Sequence, residues 1–267
     1  FFIDTVYGGQ TSSDTGYSQL SEGVWTSEIS GGTGNDLAVG RLPARDAQQV
    51  GTYVGKILDY ESSIAGDDPD TSDGRIAAIA DGQDPSFKKD AQEFADQFNG
   101  SSTVQLFTPE AGEAGANLEI KEIFEGGNSL VAYFGHGSIT MWGKDRLFSV
   151  RDVQTLKTDQ QLPVVLNLTC LTGLFTHPEQ ESLAEALLWK DDGGAVAVLA
   201  PTSLTLPNDQ QVLVDALVQG LLIDPPLPIG EAVRLARESI SLESPGMRDV
   251  MLTFLLFGDP AMTVRLR

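Results

Sequence analysis

Residues Ser129–Ser138 read SLVAYFGHGS: a candidate strand, Ser129–Phe134, apolar throughout after its first residue, and then a histidine between two glycines. A run of that length with no polar position on either side is the pattern of a strand covered on both faces. The glycines that follow permit a tight, open turn with the imidazole at its tip. Two other stretches repeat the arrangement. Pro163–Thr169 (PVVLNLT) runs directly into Cys170, and Arg75–Ala80 (RIAAIA) runs directly into Asp81-Gly82. Thr103–Phe107 and Ala195–Ala200 complete a set of short, apolar candidate strands.

Between them the apolar period lengthens to that of helices, over Pro85–Phe98, Ala114–Phe124, Val150–Leu156 and Glu181–Lys190. Two more helices are expected at Asp209–Leu222 and Ile229–Ser239, with a last short strand at Ala261–Leu266. Strand–helix alternation of this kind predicts an α/β fold, a mainly parallel sheet flanked by helices on both faces.

The first seventy-odd residues read differently. Gly and Ser crowd Gly8–Gly34 as in a loop, Asp36–Leu42 reads as a strand, and Ala47–Glu61 reads as a helix. The apolar face of that helix is expected at Val50, Val54, Ile57 and Leu58. Gly66–Gly74 (GDDPDTSDG) is a linker by composition and divides residues 1–74 from 75–267. Within it Asp67, Asp68, Asp70 and Asp73 form an oxygen-rich cluster. Its ordinary reading is a solvated linker and its alternative a structural calcium site, although the spacing is not that of an EF-hand.

With 17 basic against 38 acidic residues the formal charge is −21, the wrong sign for a groove that follows a nucleic-acid backbone. Such acidity suits a solvated extracellular or high-salt protein or one that holds calcium, its ordinary reading being a solvated face; a secreted or cell-surface protein is the expectation. No apolar run is long enough to span a bilayer. The chain begins at Phe1 without a Met, which is read as a processed or trimmed start.

Cys170 is the single cysteine, so an internal disulfide and a thiolate zinc cluster are both ruled out. Alone, a cysteine ending a buried strand is a packing residue, and a lone histidine after a strand a hydrogen-bonded one. Their joint placement says more. In an open parallel sheet, reactive groups gather at the carboxyl ends of the strands, and three such ends here carry Asp81, His136 and Cys170. A thiolate beside an imidazole is an activated nucleophile. The Gly137 and Cys170 amides can serve as oxyanion donors, and Asp81 can orient the ring. His177, the other histidine, lies in a polar loop and reads as surface decoration.

Five stretches, which take in those strand ends, carry a resemblance in order along the chain: IFEGGNSLVAYFGHGSITMWG (123–143), LPVVLNLTCLTGLF (162–175), SLAEALL (182–188), GAVAVLAPTSLT (194–205) and LLFGDPAMTVR (255–265). Together they resemble the catalytic half of the gingipain family of cysteine peptidases, whose fold is caspase-like. DLAVGRLPA and VGKILDYE upstream are similar to the join between that family's two subdomains. The resemblance implies His136 as catalytic histidine, Cys170 as nucleophile, the amides of Gly137 and Cys170 as oxyanion donors, and Asp81 as the acid that contacts the histidine. It implies no required cofactor, and a noncatalytic subdomain or cleaved piece before Phe1, of which residues 1–74 hold the tail. Arg- and Lys-specific members line their primary pocket with an acid and a Trp after the strand corresponding to Ala195–Ala200. That loop is Pro201–Leu206 here and has no Trp, so basic specificity does not carry over. Ser203, Leu204, Thr205 and Leu206, with Asp84 from the neighbouring strand end, are the expected substrate-binding residues.

The expected function is therefore a cysteine endopeptidase that acts on peptide or protein substrates through an acyl-enzyme. A sortase-like transpeptidase or secretion-linked processing enzyme would use the same intermediate. A non-enzymatic binding domain on the same fold is the third reading, and retention of both His136 and Cys170 argues against it.

Overall fold

The computed structural model describes residues 1–18, 36–66, 74–98, 100, 102–240 and 244–266. Asp67, Asp68, Asp70 and Asp73, the candidate calcium ligands, lie outside the described residues. The chain opens with a hairpin of β1 (Phe2–Thr5) and β2 (Gly9–Ser12). After α1 (Ala47–Gly66) come β3 (Arg75–Ala80), α2 (Pro85–Asp96), β4 (Thr103–Phe107), α3 (Ala116–Glu125) and β5 (Leu130–Phe134). A small sheet of β6 (Gly137–Ser138), β7 (Met141–Trp142) and β8 (Phe148–Ser149) precedes α4 (Val150–Val153), β9 (Val164–Leu168), α5 (Leu183–Trp189) and β10 (Ala197–Pro201). Helices α6 (Pro207–Leu222), α7 (Ile229–Glu238) and α8 (Pro245–Thr253) lead into β11 (Phe254–Phe257).

The main sheet has the order β11-β10-β9-β5-β3-β4, parallel throughout except for the antiparallel edge strand β11. Alternation within each strand sends side chains to two separate cores. On one side Ile76, Ala78, Leu130, Ala132, Phe134 and Leu166 meet α2, α6 and α7 through Phe87, Phe94, Leu213, Leu217 and Val233. On the other Ala77, Ile79, Val131, Tyr133 and Val165 meet α3 and α5 through Ile120, Phe124, Leu183 and Leu187. Because both faces are covered, these strands carry no polar face, which is why they are legible as continuous apolar runs.

Three expectations need correction. The last strand is β11, not Ala261–Leu266. That tail does bury Met262, Val264 and Leu266 alternately, but its described pairing is one bridge, Thr263 with Pro228. The alternation is that of an extended chain packed on one face without a ladder. The FLLF that forms β11 follows a helix, α8, that the apolar period does not announce. Asp36–Leu42 is not a strand: only Arg41 pairs, bridging to Phe257 at the free edge of β11. Finally, α1 turns a different face inward. Val50, Val54 and Leu58 are exposed and Ile57 is partly buried, whereas Tyr53, Lys56 and Tyr60 are buried.

That inward face is held by polar donors. The Tyr53 hydroxyl donates to the Val196 carbonyl at 3.1 Å and the Tyr60 hydroxyl to the Thr263 carbonyl at 3.1 Å. The Lys56 ammonium donates to the carbonyls of Leu187, Leu188 and Ala195 at 3.3, 2.9 and 3.3 Å. It thereby caps the end of α5, where carbonyls lack helical partners and the dipole favours a cation. Burial pushes the Lys56 pKa down to about 7.

Candidate active site

Register brings the three strand ends together. Ala80, Phe134 and Leu168 lie side by side as the last paired residues of β3, β5 and β9. The main chain stays linked one step further, through Asp81 N–H to the Phe134 carbonyl at 2.9 Å and Gly135 N–H to the Leu168 carbonyl at 3.2 Å. Asp81 therefore follows its rung at once, and His136 and Cys170 each stand two residues past theirs.

The histidine turn is braced from below. Asp81 Oδ2 accepts the His136 main-chain N–H at 3.2 Å and Oδ1 accepts the Gln83 N–H at 3.0 Å. These contacts of the buried carboxylate are to main chain, so it fixes the turn that carries the imidazole. The His136 carbonyl accepts from the Tyr133 hydroxyl and from the Gly143 N–H, each at 2.7 Å. Tyr133 is itself stacked on Trp142, with ring centroids 4.4 Å apart, and burial followed by the nearby Asp81 charge pushes its phenol upward. A Cβ at Gly135 would run into Asp81 Cβ and the Tyr133 hydroxyl, so the turn passes only as glycine. The imidazole stands edge-on to Phe87 of α2, with centroids 5.1 Å apart and planes at 83°.

Asp84, also expected to bind substrate, caps α2 by accepting the Ser86 N–H at 2.8 Å. That bond holds its exposed carboxyl below the usual range, and the nearby His136 charge adds to the effect.

The cysteine turn is strained and wrapped. Leu171, directly after Cys170, has φ 61°, a left-handed backbone that costs a branched residue on the order of 1 kcal/mol or more. Its N–H donates to the Ser203 carbonyl at 3.1 Å. The Cys170 thiol donates to the Thr205 carbonyl at 3.5 Å. Burial pushes the thiol pKa up, partly countered by the Thr205 main chain. Gln210 of α6, a residue the sequence gives no reason to single out, ties the turn to this loop. Its amide donates to the Thr169 carbonyl at 3.0 Å and to Thr205 Oγ1 at 2.8 Å.

The two turns touch through Gly137. A Cβ there would collide with Thr169 Oγ1 and lie 3.0 Å from the Cys170 carbonyl. Two amides near the thiol are left open. The Gly143 N–H to His136 carbonyl bond makes 136/143 a hydrogen-bonded pair of the β6–β7 ladder. The next pair, Gly137 with Trp142, is then the non-bonded kind, which turns the Gly137 N–H away from β7. The Cys170 N–H has no acceptor among the described residues.

Past β10, burial alternates along Ser203–Leu206, with Ser203 and Thr205 buried and Leu204 and Leu206 exposed at 37% and 45%. The inward pair holds the loop: Ser203 Oγ lies 3.0 Å from Thr5 Oγ1, and Thr205 Oγ1 donates to the Thr169 carbonyl at 3.2 Å. The outward pair faces solvent on either side of the Thr205 carbonyl. His177 has a structural task, since its Nδ1 accepts the Glu179 and Gln180 N–H groups at 3.3 and 3.1 Å. Among the described residues no cluster of three or more His, Cys, Asp or Glu is arranged to hold a metal ion. No described helix is long and apolar enough to cross a membrane.

The sequence profile of peptidase family C25 matches residues 2–265. Gingipain R2 of Porphyromonas gingivalis is 29% identical over 182 residues, covering 63% of this chain and 24% of the relative. Gingipain R1 of the same organism is also 29% identical over 182 residues, covering 63% of this chain and 18% of the relative. The chain thus spans about a quarter or less of the length of these curated relatives. Among solved structures, that of the Arg-specific cysteine proteinase gingipain R superposes with a TM-score of 0.77 at 22% identity, covering 95% of this chain and 60% of that one. A complex of gingipain pro- and mature domains gives 0.76 at 22% identity, covering 94% and 60%.

Proposed function

This chain belongs to peptidase family C25, and from that premise we propose that it is an endopeptidase in which Cys170 attacks and His136 shuttles the proton. One observation carries the assignment to these two residues: they stand the same two positions past aligned rungs of adjacent parallel strands, with Gly137 pressed against the Cys170 main chain.

The chemistry follows from the resting geometry. As a peptide carbonyl approaches, the thiol gives up its bond to the Thr205 carbonyl and passes its proton to the imidazole. The sulfur adds to the carbonyl carbon, and the oxyanion is received by the Gly137 and Cys170 N–H groups. Collapse breaks the C–N bond while the imidazolium protonates the leaving amine, giving a thioester on Cys170. Water, deprotonated by His136, adds to that thioester and releases the acid and the thiol. Asp81 contributes by holding the His136 main chain, and Asp84 by its charge near the ring.

Residues 1–74 serve in this reading as the tail of a noncatalytic subdomain with its connecting helix, and 75–267 as the catalytic domain. A preceding subdomain or cleaved N-terminal piece is the proposed partner beside peptide substrates, and the proposed location is secreted or cell-surface. No cofactor is required. Any structural calcium would be held at Asp67, Asp68, Asp70 and Asp73.

The test is a pair of substitutions and their combination. Cys170→Ala and His136→Ala are each expected to lower turnover on the order of 10⁴-fold. The double variant should be no worse than either, since the residues act as one unit. Ordinary peptidase activity in Cys170→Ala would end this reading.

A further inference from the structure

Helix α5 begins against both turns of the candidate site, and each of its first three amides has an acceptor. The Leu183 N–H donates to the Ile139 carbonyl at 2.8 Å, in the link between β6 and β7 that follows His136. The Ala184 N–H donates to the Thr172 carbonyl at 3.0 Å, two residues past Cys170. The Glu185 N–H closes on Ser182 Oγ at 3.3 Å. These are amides that a helix cannot satisfy from within. Here two of the three are the bonds that join the histidine turn and the cysteine turn to one rigid element.

The start of that element depends on Glu185. Its Oε2 accepts the Ser182 N–H at 2.9 Å and the Ser182 hydroxyl at 2.8 Å, which completes a capping box. With seven residues, α5 is too short to hold its own first turn. The box is also fully inside the protein, with Ser182 at 0% and Glu185 at 2% exposure. A carboxylate costs free energy in such a place unless its hydrogen bonds are made. Arg45 reaches Oε1 at 3.3 Å, but its side chain is 57% exposed, and an ion pair so open to solvent contributes little.

Resting on the proposed peptidase reading, we infer that Glu185 is a positioning residue: through the first turn of α5 it holds the His136 and Cys170 turns at one spacing. The strained backbone at Leu171 shows why a hold is needed. Leu171 lies between Cys170 and Thr172, and it is pinned on both sides, by its own N–H on the Ser203 carbonyl and by Ala184 on the Thr172 carbonyl. A left-handed leucine persists only where its surroundings fix it. Without the box the first turn of α5 frays, the Thr172 carbonyl is released, and Leu171 relaxes and carries Cys170 with it. The cost falls on the bond-making step, which depends on the distance between thiol and imidazole.

The experiment measures kcat and KM on a peptide substrate well below the thermal midpoint, with hydrogen exchange of the Leu183 and Ala184 amides followed alongside. Glu185→Ala should lower kcat roughly tenfold, a shift of a few tenths of an ångström where about 1 Å costs on the order of 10²-fold. KM should stay within about twofold, since the interaction lost is one made in the transition state. Both amides should exchange faster than in wild type. Glu185→Gln, whose side-chain oxygen can accept the same two bonds, should recover kcat to within about threefold of wild type. Arg45→Gln should leave it within about twofold. If Glu185→Ala does not fold, Ser182→Ala, which removes the hydroxyl alone, takes its place, with kcat down about threefold at unchanged KM. A kcat within twofold of wild type in folded Glu185→Ala, or unchanged in Ser182→Ala where that variant stands in, would overturn the inference. So would a loss that Glu185→Gln does not recover, or one carried by KM alone. Failure of the underlying reading looks different: it is turnover that survives Cys170→Ala.

Discussion

The carboxyl edge of the sheet and the N-terminal segment are both needed to build the site, yet they are assembled by different physics. At the edge, register does the work: paired rungs at Ala80, Phe134 and Leu168 deliver Asp81, His136 and Cys170 to one line. The N-terminal segment is attached by scattered polar donors that reach main-chain carbonyls far away in sequence. Thr11 donates to the Thr202 carbonyl, Ser13 to Leu252, and Lys56 to three carbonyls around the end of α5. In the proposed function the first region supplies the reacting atoms, and the second sets the shape around them. Damage to the two should therefore be separable, with activity lost in one case and stability in the other.

Short of removing Cys170 or His136 themselves, the largest loss of turnover is expected from Gly137→Ala. The added methyl collides with Thr169 Oγ1 and forces the His136 and Cys170 turns apart. A displacement of about 1 Å costs turnover on the order of 10²-fold. The thermal midpoint should fall by only a few degrees, because the strands beneath are untouched. Turnover within twofold of wild type would show that the two turns do not act together.

Lys56→Met is the converse. Its loss leaves buried carbonyls unpaired, so stability should drop by about 1–3 kcal/mol while kcat of the folded enzyme stays within about twofold. The pH dependence sharpens this. With the folded pKa pushed down to about 7 against an ordinary 10.5, the unfolded chain binds a proton that the folded one has released. Relative to Lys56→Met, wild-type stability should therefore rise as pH climbs from about 7 toward 10.5. Parallel denaturation curves across that window would mean that the three carbonyls hold the ammonium at its ordinary pKa.

The same contrast explains what was legible in the sequence. β3 and β4 stand where their apolar runs do, and β5, β9 and β10 shift only by a residue or two at their ends. The placing of Cys170 and His136 at one edge of the sheet was legible because each closely follows such a run. The inward face of α1 was not, because Tyr53, Lys56 and Tyr60 bind through hydroxyls and an ammonium, while Val50, Val54 and Leu58 make the more hydrophobic stripe and remain outside. Gln210 and the hairpin tip were equally silent: a helix glutamine and a Val-Tyr-Gly-Gly turn acquire their positions only through contacts about 40 to 240 residues away in the chain.

Trapping the acyl-enzyme tests the central claim most directly. The protein is mixed with a peptide ester that deacylates slowly, quenched in acid within the first turnover, and digested for mass analysis. Cys170 as the nucleophile requires the fragment containing it to gain the mass of the acyl group, in amounts matching the released alcohol, and requires Cys170→Ala to show neither. Release of alcohol at the wild-type rate with the Cys170 fragment unmodified, or with the acyl group on another residue, would contradict the account.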